Sequence, residues 1–141
     1  MRLRADQSWF TRAVFADVAL AFALSFLIGF ERELRGAPAG DRTYALVGTA
    51  AAAVTVVAAN NSPQAIAGVL TGVGFIGAGV ILHDAKAKTV HGLTTAATVW
   101  IAAGLGIACA LGAWLLVAAA IAVTLLVLFV LGWVERRLGL K

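Results

Sequence analysis

Charge is what this chain has least of. Only 13% of its 141 residues are Asp, Glu, Lys or Arg, and positions 60–83 carry none. A water-soluble domain of this length cannot hide so much apolar surface, so lipid must solvate part of it. There is one cysteine, Cys109, which excludes an internal disulfide; its apolar surroundings fit a buried small hydrophobe. No HExxH, phosphate loop with its lysine, or nucleophile–base pair occurs, which leaves catalysis without support. His83, Asp84 and His91 match no standard metal-ligand spacing, and no cofactor is expected.

What is present is apolar sequence in spans of membrane length. A transmembrane helix needs about 17–25 mostly apolar residues. The spans 13–30, 43–59, 66–82, 93–110 and 113–134 qualify, the second being short and alanine-rich. These define an all-α polytopic membrane bundle of about five helices in one domain, residues 1–141. The last two spans lack a polar break, but a single helix over 93–134 would run roughly 63 Å, about twice the hydrocarbon core. A turn is expected at Ala110-Leu111-Gly112. Trp114 and Trp133 then lie roughly 28 Å apart, the spacing of two aromatic belts. The first span is long for a signal core and is followed by Glu31-Arg32-Glu33, so it reads as a retained helix.

The net charge is +4 and the pI about 10. The basic residues fall between apolar runs and at the ends, which fits membrane orientation and anionic headgroups rather than nucleic acid. With five helices, Arg32, Arg35, Arg42, Lys86, Lys88, Arg136, Arg137 and Lys141 share one side, and Arg2, Arg4 and Arg12 the other. This predicts a cytoplasmic C-terminus and an external N-terminus.

The run Gly72-Val73-Gly74-Phe75-Ile76-Gly77-Ala78-Gly79 spells a dinucleotide-type pattern, but no separate strand precedes it and the next acid, Asp84, comes too soon. Read as a helix, it places Gly68, Gly72 and Gly79 on one face and Gly74 and Gly77 on the opposite one. Small residues let membrane helices approach closely, so this helix is expected to be central.

The candidate functional polar residues lie around it. Asp17 sits inside the first apolar span, where a carboxylate marks either an ion path or a reach to the interface. Glu31, Arg32 and Arg35 close that helix, with Glu31 and Arg35 at i,i+4 spacing. Pro38-Ala39-Gly40 forces a turn, and Asp41 or Thr43 can cap the next helix beside Arg42. Glu31 and Arg42 are expected to approach each other. Thr94, Thr98, Ala102, Leu105 and Cys109 form a small, weakly polar face, with Thr95 beside it. A polar path would have to use Asp17, Ser25, Thr55 and the Thr94/Thr98 face.

Four stretches in order are similar to the MgtC/SapB family of bacterial inner-membrane proteins. They are Ile28-Gly29-Phe30-Glu31-Arg32-Glu33 with Arg35, Ala39-Gly40-Asp41-Arg42-Thr43, Gly72 through Ile81, and Gly92-Leu93-Thr94-Thr95-Ala96-Ala97 with Trp100. The resemblance implies a five-helix membrane domain and a regulatory, virulence-related role under magnesium limitation. Asp41 departs from an apolar position of the family and His91 from a common arginine. The better-known virulence members carry asparagine at Thr94, implicated in engaging the F-type ATP synthase. Those members also have a soluble C-terminal domain; with the sequence stopping at Lys141, the resemblance leads one to expect the short form of the family. The expected partners are the bilayer, another inner-membrane complex and further copies of the chain. The leading expectation is a non-enzymatic regulator of that complex, with a small ion transporter or channel subunit as the rival. A membrane enzyme would require the glutamate–arginine cluster and the histidines to converge.

Overall fold

The computed structural model describes residues 3–58, 62–84 and 89–139. It is helical almost throughout. The order is α1 (Leu3–Leu34), α2 (Asp41–Ala58), α3 (Pro63–Val80), β1 (Leu82–Asp84), β2 (Thr89–His91), α4 (Leu93–Ala110) and α5 (Trp114–Leu126), continued by a π-helical turn (Val127–Leu131) and α6 (Gly132–Arg137). Four stretches are long and apolar enough to cross a membrane: Thr11–Leu34, Pro63–Val80, Leu93–Ala110 and Trp114–Val134. The chain is therefore a multi-pass membrane protein.

The helix ends follow local chemistry. Gly36 adopts φ +68° and the Ala37 amide bonds back to the Arg32 carbonyl at 3.0 Å, which stops α1. Gly112 does the same for α4 at φ +65°, with the Ala113 amide on the Ala108 carbonyl at 2.9 Å. The turn expected at 110–112 is thus where the chain reverses. After α3, β1 and β2 pair as a short antiparallel ribbon, with Leu82 opposite His91 and Asp84 opposite Thr89.

Two expectations change. The glycine-rich α3 is not central. Of its residues only Val73 and Gly77 are buried, and it lies at the edge against α4 and α2. The centre is α2 with α4, flanked by α1. This explains why α2 looked the weakest span. It buries Tyr44, Ala45, Val47, Gly48, Ala51, Ala52, Thr55 and Ala58. The small alanine and glycine side chains that made it look weak as a span are what let α1 and α4 pack closely against it.

The glycines that let backbones meet are also different ones. A methyl group on Gly106 of α4 would strike the Gly48 carbonyl of α2, and would lie 3.0 Å from Ala51 Cβ. One on Gly48 would strike Ser25 Oγ of α1, and one on Gly29 would sit 2.7 Å from Asp41 Cα. By contrast Gly68, Gly72, Gly74 and Gly79 face open space, and only Gly77 touches a neighbour, Ala96 at 3.6 Å. Within the described residues, close helix approach therefore runs through Gly29, Gly48 and Gly106. Alanines complete the seam, with Ala21, Ala51, Ala52, Ala102 and Ala103 fully or nearly fully buried.

Candidate functional site

The polar side chains gather where the C-terminal end of α1 meets the N-terminal ends of α2 and α4. The close passage at Gly29 brings Tyr44 against α1. Tyr44 is fully buried; its hydroxyl donates to the Thr95 carbonyl at 3.2 Å and lies 2.5 Å from Thr98 Oγ1. Thr98 also reaches the Thr94 and Thr95 carbonyls, at 2.9 and 3.1 Å. Across the same junction Arg32 Nη2 donates to Thr95 Oγ1 at 3.2 Å. One side chain from each of two helices, Arg32 of α1 and Tyr44 of α2, is thus bound to the first turns of α4.

Glu31 is 8% exposed and pairs with Arg35 one turn on. Neither carboxylate oxygen meets hydrogen-bond geometry, and Arg32 Nε is likewise buried without a hydrogen-bond partner. The Arg35 guanidinium also lies 5.6 Å from the centre of the Phe129 ring in the π-turn. The expected approach of Glu31 to Arg42 is not an ion pair. Glu31 is ion-paired with Arg35 along its own helix, while Arg42 stands exposed.

The cap of α2 comes from another helix. Glu33 Oε2 accepts the Asp41 amide at 3.1 Å, and Asp41 Oδ1 accepts the Arg42 amide at 2.5 Å. These residues, with Ala37, Gly40 and half-buried Thr43, line an open polar hollow of about 410 Å³.

The remaining sequence candidates separate. Asp17 is half-buried on α1. Thr94 is exposed and its neighbour Thr95 turns inward. Ser25, Thr55 and Thr98 are buried in close packing; Thr55 bonds the Ala51 carbonyl of its own helix at 2.7 Å. Ser25 Oγ has no partner. Among the described residues no three His, Cys, Asp or Glu side chains gather as a metal site.

Tyr44 is the residue that sequence reasoning missed. Its signal was present, as the one tyrosine of the chain in the first turn of an otherwise apolar helix. A membrane tyrosine with its ring in the core needs a partner for its hydroxyl, and α4 supplies two.

Residues 18–137 match the model of the MgtC family. The chain belongs to this family. It is 43% identical to Protein MgtC of Salmonella typhimurium over 100 residues, covering 68% of this chain and 42% of that protein. Protein MgtC of Brucella abortus is 42% identical over 117 residues, covering 79% and 48%. An uncharacterised protein of Haemophilus influenzae is 38% identical over 113 residues, covering 70% and 47%. This MgtC-family chain thus spans less than half the length of the curated relatives it matches. No solved structure matches it. The matched range takes in every residue of the three-helix junction, from Glu31 through Thr98.

Proposed function

We propose that the chain is a non-enzymatic regulatory protein of the bacterial inner membrane that modulates another membrane complex, in the setting of magnesium limitation that the family resemblance implies. The end bearing the polar junction is cytoplasmic, because positive-inside places Arg32, Arg35 and Arg42 there together with the basic C-terminus. The observation that carries the reading is a division of labour at that end. The inward hydroxyls and Arg32 are spent on tying helices together. The outward groups, exposed Arg42 and Thr94, sit on neighbouring first turns of α2 and α4, open to a partner.

The test is crosslinking and capture of the native protein from membranes grown with and without magnesium, repeated with Thr94→Ala and Arg42→Glu. The expected result is a captured membrane complex lost in both surface variants and kept by Tyr44→Phe. Capture unchanged by either surface variant would sink the reading.

One observation favours the rival, an ion transporter. Glu31 holds two buried carboxylate oxygens without a hydrogen-bond partner, and buried membrane carboxylates mark ion paths. Robust Mg²⁺ flux in liposomes, abolished by Glu31→Gln, would establish the rival in place of the regulatory role.

A further inference from the structure

The last helix is held in two different ways along its length. Val117, Thr124 and Leu128 are buried, one seam at helical spacing. Past Leu128 no described residue is buried: Phe129, Val130, Trp133, Val134 and Leu138 are exposed to between 38 and 66%. Among the described side chains, the segment after the π-turn therefore has no buried apolar anchor. Nor does α1 pack its backbone closely against it; α1 packs on α2 and α4.

One side chain bridges this gap. Arg35, at the end of α1, pairs with Glu31 through Nε and lays its guanidinium over Phe129 at 5.6 Å. A methyl group on Gly132 would lie 2.5 Å from Arg35 Nη1, so the guanidinium would have to shift from its place over the π-turn to admit one. Phe129 and Gly132 lie within and just after Val127–Leu131, where the helix is π. A π-turn carries an extra residue, re-aims the helix beyond it and interrupts the regular ladder, so it is where a helix bends most cheaply. Glycine immediately beyond it lowers the cost of bending further.

We propose that Arg35 is a latch holding the C-terminal segment against α1, and that the π-turn is the hinge on which that segment swings when the latch opens. Its closed state uses three contacts at once: the charge of Glu31, the ring face of Phe129 and the bare backbone at Gly132. An arginine suits this because its flat fork can stack and pair together, which a lysine cannot do. The proposal stands whether the protein regulates a partner or moves an ion.

The test uses the full chain in phosphatidylcholine bilayers, with Cys109→Ala and nitroxides at Leu27→Cys on α1 and Leu138→Cys beyond α6, both exposed positions. Electron–electron distance distributions should show one main population in this background. Arg35→Gln and Gly132→Ala should each add a longer-distance population, and Arg35→Lys a smaller one. Gly132→Ala is the sharper variant, since helix propensity alone would make it stiffen the helix. A control pair, Val57→Cys with Leu111→Cys, reports the α2–α4 end and should not change. The proposal is overturned if Arg35→Gln and Gly132→Ala leave the first pair as it was, or if the control pair broadens with it, which would make Arg35 a support of the whole bundle.

Discussion

Arg32 of α1 donates to the hydroxyl of Thr95 on α4, 63 positions away, at 3.2 Å. Thr95 carries a second tie through its backbone, because its carbonyl accepts from Tyr44 on α2. A single threonine thus joins three helices, and its neighbour Thr94 joins none of them by its side chain while standing exposed.

Thr95→Val should destabilise the protein, and Thr94→Val should not. Losing a hydrogen bond to a charged group costs about 1.5–3 kcal/mol, whereas exposed substitutions stay within about 0.5 kcal/mol. A double-mutant cycle of Thr95→Val with Arg32→Gln, read by unfolding in mixed micelles, should show positive coupling. Additive losses would mean that the two side chains do not interact.

Tyr44→Phe keeps the ring and removes the hydroxyl shared with Thr98 and the Thr95 carbonyl. The expected loss is about 0.5–1.5 kcal/mol, near the low end if membrane hydrogen bonds behave as they do elsewhere. Thermal unfolding in detergent measures it. Combining it with Thr98→Ala should cost less than the sum, since both remove the same contact.

Ser25→Ala should stabilise the fold. Ser25 is fully buried, its oxygen has no hydrogen-bond partner, and an unsatisfied buried hydroxyl carries a penalty of about 1–3 kcal/mol. A rise in unfolding midpoint is the expected readout; a fall would point to a partner for that oxygen.

Gly106→Ala and Gly72→Ala should act in opposite directions. At Gly106 the added methyl meets the Gly48 backbone, and overpacking costs about 1–3 kcal/mol. At Gly72 it meets nothing, and alanine gains up to about 1 kcal/mol of helix propensity. Parallel unfolding titrations of the two detergent-solubilised variants decide between this seam and one through α3.

Much was settled by composition and spacing. The apolar runs required a membrane, their lengths and the turns at Pro38-Ala39-Gly40 and Ala110-Leu111-Gly112 placed the helices, and four ordered motifs pointed to the MgtC family. What only the tertiary structure decided is which face of each helix meets protein. In α3 the conspicuous glycines look outward, while the less conspicuous Gly48 and Gly106 form the closest contact between α2 and α4. Likewise Thr95, not Thr94, turns inward, and Glu31 stays with Arg35 rather than reaching Arg42. The physical reason is that lipid and protein interior are equally apolar. Hydrophobic periodicity separates a core face from a wet one, but it cannot separate a core face from one that faces lipid. Only the packing of three helices around Gly29, Gly48 and Gly106 supplied that distinction.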